Sequence, residues 1–148
     1  LIDAPLSRAN LTKAILSGAI LEGANLTNAV LIGAVLDDAN LTNAMMHGAL
    51  LEGANLSGAD LSRAKVSGSN LSSACLSKAN LRSANLSWSS LRGADLRGAN
   101  LFRAKLGWSN LSGANLTEAI LIEANLNHAN LRNTNLRWAI MPDGRTHE

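Results

Sequence analysis

Histidine, cysteine, paired acids and serine are the side chains through which a chain of 148 residues would do chemistry, and here their spacing does not favour it. Hydrolytic catalysis needs a nucleophile, a base and an orienting acid within hydrogen-bond reach of one another. His47, His128 and His147 have no spacing that brings them together. Serines are plentiful, but no His and Asp partner is implied for any of them. Asp37 and Asp38 are adjacent, and a lone pair of acids is weak support for a metal or acid–base site. Cys75 is the single cysteine, so an internal disulfide and a zinc site with several thiolates are excluded. No activating neighbour for it is evident. No glycine-rich phosphate loop occurs either. The residues read as those of a non-enzyme, with no catalytic site, metal or cofactor expected.

What remains is binding chemistry, and where its residues meet depends on the elements that position them. Only 3% of residues are aromatic, so the core is not an ordinary globular one. Hydrophobic residues make up 47% and the net charge is +2, which excludes disorder. The apolar stretch from Ala29 to Leu36 is too short and glycine-broken to span a bilayer.

A repeat of five accounts for nearly the whole chain. Of the 29 positions 1, 6, 11 and onward to 141, 26 are Leu, with Met46, Val66 and Met141 the exceptions. Two residues before each, 24 of 28 positions are Ala, and the residue between is Asn or Asp in 15 of 28 cases. Residues five apart on an α-helix are rotated by about 140°, which makes no stripe. On one continuous strand, an odd period alternates faces. Turning the chain once per repeat keeps every Leu inside. Right-angled corners then close a coil every four repeats, and seven 20-residue coils account for residues 1–140. Coils stacked as parallel strands about 4.8 Å apart give a rod about 34 Å long.

Ten of the 12 glycines fall two residues after the central residue, where a type II turn demands positive φ. Bulky residues at the same place, such as Arg63, Trp88 and Trp108, predict type I corners elsewhere. The recurrent Asn is expected to bond corner backbone and to form stacked amide ladders.

Stretches such as Ala54-Asn55-Leu56-Ser57-Gly58 and Ala94-Asp95-Leu96-Arg97-Gly98 resemble the pentapeptide-repeat family. The resemblance implies an all-β fold, a right-handed quadrilateral parallel β-helix with Ala and Leu inside. Domain organisation is then a β-helix over 1–140 and a turn and tail over 141–148. The tail Met141-Pro142-Asp143-Gly144-Arg145-Thr146-His147 is similar to the ending of many cyanobacterial members.

Writing the sequence in twenties brings three columns forward. Trp88, Trp108 and His128 form an outward aromatic ladder that suits a sugar, a base or a partner side chain. Phe102 and Ile122, beside Ile120, Ile140 and Pro142, form an apolar strip suited to docking or capping. Ser69, Ser89 and Ser109 replace the inward Ala and are expected to bond backbone carbonyls. Near the start, Ile15 with Val35 and Val30 with Leu50 stack at the outward middle position, as a contact surface or the site of a missing cap.

Charge is uneven. Residues 1–60 carry a net −4, residues 61–105 a net +7 and the remainder −1. The basic group is Arg63, Lys65, Lys78, Arg82, Arg92, Arg97, Arg103 and Lys105, a girdle spread over all four faces that suits an acidic polymer or nucleic acid.

The leading expectation is a structural or protein-interaction module, a rigid rod with variable outer columns. The chain starts inside the repeat frame and without Met, which suggests a domain of a longer protein. The resemblance extends to cyanobacterial members that join a membrane-spanning region to a repeat tail, one of them needed for the heterocyst glycolipid layer. Other members protect DNA gyrase by imitating duplex DNA. A sequence pI near 9.1 and the lack of any aromatic central residue argue against that role here. Exposed coil edges also raise end-to-end self-association, blunted at the C-terminal end by the Pro142-Asp143-Gly144 turn.

Overall fold

A computed structural model describes residues 1–148. Every fifth residue from Pro5 to Ile120 forms a parallel bridge to the residue 20 further on, from Pro5–Asn25 to Ile120–Ile140. The chain is therefore a stack of 20-residue coils with four corners each, and the register never slips. Each side contributes a single bridging residue between two turns, so no long strand develops.

The backbone bonds of one repeat explain the consensus. In residues 71–75, Leu71 N–H donates to Ser90 C=O of the next coil at 2.7 Å and Ser73 N–H to Arg92 C=O at 2.9 Å. Cys75 N–H donates back to Ala54 C=O at 2.9 Å, and Ala74 N–H closes the corner on Leu71 C=O at 3.0 Å. One N–H is left over, that of Ser72, and it donates to Asn70 Oδ1 at 3.0 Å. The recurrent Asn supplies the acceptor that the backbone lacks. Where Lys65 or Ile120 stands in its place, the N–H of Ser67 or Ile122 has no protein acceptor.

Because each Asn oxygen is used within its own coil, the expected ladder of stacked amides does not form. One inter-coil bond of that kind exists, from Asn80 Nδ2 to Asp60 Oδ1 at 3.2 Å.

The corners correct a second expectation. All positions two after the central residue from Asp3 to Trp138 have positive φ, including Arg63 at 58°, Trp88 at 63° and Trp108 at 60°. No type I corners relieve the bulky residues. Coils must turn identically to keep residues 20 apart in register, so the backbone is uniform and the side chains accept the left-handed conformation. That costs about 1–2 kcal/mol per non-glycine corner.

Inside, the central and Ala positions from Leu21 to Ala124 form one apolar column. Each fully buried Leu contributes about 1.5–3 kcal/mol. Ser69, Ser89 and Ser109 are buried among them and donate to the carbonyls of Met46, Val66 and Leu106 at 2.6, 2.7 and 2.7 Å. Their hydroxyls are satisfied as expected. Thr134 does the same towards Leu111 C=O at 2.8 Å.

At the C-terminal end the chain turns back on itself. Met141 N–H bonds Arg145 C=O and His147 N–H bonds Ala139 C=O, both at 2.7 Å, with Gly144 at φ 83° closing a three-residue hairpin loop. Ile140 and Thr146 make the single antiparallel bridge. This hairpin covers the edge of one side.

Candidate functional site

Trp88, Trp108 and His128 occupy one corner column, and their rings stack. Trp88 and Trp108 lie 5.0 Å apart at 2°, and Trp108 and His128 lie 4.1 Å apart at 18°. The spacing of the two Trp rings follows the coil rise, so the backbone sets the ladder's pitch. Trp88 is 65% exposed and Trp108 is 52% exposed. Two large stacked apolar rings are thus left in water on corners of left-handed backbone. Gly68 sits one coil above Trp88, and a side chain there would meet nothing within 4 Å. The upper indole face is therefore open.

Trp138, on another corner, was not singled out by the column pattern. It is 50% exposed at φ 63°, with the Arg137 guanidinium 5.4 Å from its ring centre. Its signal was the same corner position that Trp88 and Trp108 occupy.

Phe102 and Ile122 share a column, but the strip is not the bare apolar surface expected. Both are half-buried. The guanidinium groups of Arg82 and Arg103 lie 4.8 and 4.9 Å from the Phe102 ring centre. Long cationic side chains cover neighbouring apolar surface while keeping their heads in water. Ile15 remains 81% exposed and Leu50 40% exposed, each bridged to its column partner, Val35 or Val30.

The basic girdle divides into paired and unpaired members. Arg97 binds Asp95 through Nε at 2.8 Å and Nη2 at 2.7 Å, and Arg103 binds Glu123 at 2.5 Å. Arg63, Lys65, Lys78, Arg82, Arg92 and Lys105 form no ion pair. Shallow grooves open between these side chains, and no hydrophobic residue lines any of them.

The three histidines stay apart, but the coil period brings His47 to Ser67, with Nδ1 and Oγ 2.6 Å apart. The 20-residue spacing of the two was the available signal. No carboxylate bonds the other ring nitrogen, so the orienting member of a triad is lacking. Asp37 accepts from Ser17 Oγ at 2.6 Å. Cys75 is half-buried, with Sγ 3.4 Å from Ser77 Oγ. No group of three or more His, Cys, Asp or Glu residues is placed to hold a metal ion. No helix is long and apolar enough to cross a membrane.

Comparison with solved structures finds Rfr23, a pentapeptide repeat protein of the cyanobacterium Cyanothece 51142. It is 40% identical over 64% of each chain, with a TM-score of 0.60. This chain thus spans a little under two thirds of Rfr23. HetL of Nostoc sp. strain PCC 7120, involved in heterocyst differentiation regulation, is 31% identical over 99% of this chain and 89% of its own, with a TM-score of 0.42. A pentapeptide repeat protein of the Arabidopsis thaliana thylakoid lumen is 29% identical over 67% and 66%, with a TM-score of 0.53. Comparison with curated proteins gave no match. Known structures of such proteins are right-handed quadrilateral β-helices. The family model for pentapeptide repeats matches in eight copies, over residues 4–43, 19–58, 34–72, 59–98, 79–117 and 99–137. With its five-residue frame and 20-residue coils unbroken across those matches, the chain belongs to the pentapeptide-repeat family.

Proposed function

We propose that this chain is a non-catalytic interaction module. It is a right-handed rod of seven coils over residues 1–140, ended by the turn and tail of 141–148, and a protein partner docks on its Trp88–Trp108–His128 corner. The observation that carries this reading is the stacked, half-exposed Trp pair. Exposed large aromatics at fixed spacing supply contact area without the ordering cost of mobile side chains. The biological setting we propose is cyanobacterial, with attachment to a membrane-spanning region outside these residues. Identity to Rfr23 supports the cyanobacterial part.

A second reading rests on the unpaired cations between residues 61 and 105: binding of nucleic acid or another acidic polymer through the girdle. One experiment separates the two. Immobilised wild type and a Trp88→Ala/Trp108→Ala variant are each exposed to cyanobacterial lysate at low salt and at about 0.5 M salt, where exposed charges are screened. A protein retained by the wild type at high salt and lost by the variant is the expected result. Capture of nucleic acid or acidic polymer alone, released by salt from both chains, would overturn the Trp reading in favour of the girdle.

A further inference from the structure

We propose that the groove between Arg92 and Arg132 is an oxyanion site that takes a phosphate group, as the free ion or as a monoester. The two arginines stand in one corner column, 40 residues apart, with Ser112 between them. Stacked coils rise about 4.8 Å each, so the two Cα atoms are about 10 Å apart, close enough for both guanidinium groups to meet on one tetrahedral anion. The groove is about 360 Å³ and is lined by Arg92, Asn110, Ser112, Asn130, Arg132 and Asn133.

Asn110 Oδ1 accepts from Ser112 N–H at 3.0 Å, and Asn130 Oδ1 accepts from Arg132 N–H at 3.1 Å. Both amide oxygens are thereby committed to the backbone, and both Nδ2 groups are left as donors. The Ser112 hydroxyl makes no bond within the protein, and neither arginine has an ion-pair partner. Gly113, next to Ser112, has no side chain, and the space where one would begin is open. The lining combines two positive charges with amide and hydroxyl donors, and it contains no carboxylate.

The other cationic grooves lack that combination. The one holding Lys78 and Arg97 also holds Glu118, and Arg97 is committed to Asp95. In the groove of Arg63 and Arg82, Arg82 lies against Phe102 and Asn80 binds Asp60. Glu52 lies two coils above Arg92 and lines a separate groove with it, forming no ion pair with it.

The test is a titration of the ¹⁵N-labelled chain at about 20 mM ionic strength, where screening is weak. Inorganic phosphate and N-acetyl-O-phosphoserine amide are the two probes. Saturable shifts at Asn110, Ser112 and Asn130 are expected. Arg92→Gln/Arg132→Gln should weaken binding at least about tenfold, as loss of two charge-assisted contacts requires. Arg8→Gln/Lys13→Gln removes the same charge in the first coil, outside the girdle and far from the groove, and should change affinity by less than about twofold. Tighter binding of the phosphoserine probe would identify a phosphorylated side chain as the source, and tighter binding of inorganic phosphate the free ion. Equal weakening by both variants, or wild-type shifts that do not saturate at these residues, would overturn the site. Since the wild-type shifts locate binding unaided, the result does not hang on how the variants fold. Retention of a partner by Trp88 and Trp108 is a separate readout.

Discussion

Residues 1–60 and residues 61–105 have the same coil backbone and opposite surfaces. Bridges and positive-φ positions recur through both, and so do the corner bonds except that of Ser69 N–H to Val66 C=O. In the first segment, six of the twelve left-handed corner positions are glycine, the net charge is −4 and apolar residues such as Ile15 and Leu50 face outward. In the second, three of the nine are glycine, two Arg, one Lys and one Trp are among the rest, and the net charge is +7. Since the inward positions stay buried in both, with Ser69 and Ser89 bonding backbone carbonyls where Ala stands elsewhere, the fold does not require this change of surface. Bulky corners persist at a conformational cost that glycine would avoid, which is the kind of strain that marks surfaces selected for contact. The docking column proposed above lies on the corners of the later coils.

The largest expected effect tests whether the two segments share one core. Leu36→Ala and Leu76→Ala each delete a fully buried side chain, and each should cost about 2.7–5 kcal/mol. Denaturant unfolding measures both. Costs that differ by more than about 2 kcal/mol, outside the ordinary spread of such deletions, would show that the cores differ as well as the surfaces.

A smaller effect tests the corners themselves. Gly53 and Lys78 share the left-handed backbone, at φ 64° and 57°. A side chain at Gly53 would meet nothing within 4 Å, so Gly53→Ala isolates the conformational term and should cost about 1 kcal/mol. Lys78→Gly should stabilise by about 1 kcal/mol for the converse reason. A neutral outcome at both positions would remove strain from the comparison.

These corners also mark where the sequence stopped being legible. Leu and Ala at fixed spacing dictated the inward column, the 20-residue coil and the serine ladder, because burial and register act on every repeat alike. Local steric preference predicts type I corners at Arg63, Trp88 and Trp108, but every coil must turn identically. Register overrides a preference of a kcal/mol or two. The fate of Phe102 was hidden for another reason. Arg82 precedes it by one coil and Arg103 follows it in sequence, and which way a long flexible side chain folds is not written in the repeat. The Arg92–Arg132 groove depends in the same way on which cations find acids and which do not.

The smallest effect distinguishes how the two segments hold a carboxylate. Burial pushes the Asp60 carboxyl up, but hydrogen bonds from the Ser62 side chain and backbone, Asn80 and Thr42 outweigh it and hold the group below its ordinary 3.8. For Asp95 the main cause is the side-chain hydrogen bond from Arg97, against burial, with further help from the Arg97 backbone and its charge. Both carboxyls thus titrate lower in the folded chain than in the unfolded one. Each contributes stability that is present above pH 3.8 and lost as pH falls through the lower folded value. The unfolding midpoints of wild type, Asp60→Asn and Asp95→Asn should therefore converge as pH falls from 6 to about 2.5, below the unfolded pKa. Salt separates the two cases. Arg97 and Asp95 form an exposed ion pair, so about 1 M NaCl should shrink the effect of Asp95→Asn. Asp60 is held by neutral donors, and its effect should survive salt. Equal salt sensitivity at both sites would mean that the field of the girdle, rather than local bonding, sets both carboxyls, and the contrast between the segments would then be one of net charge alone.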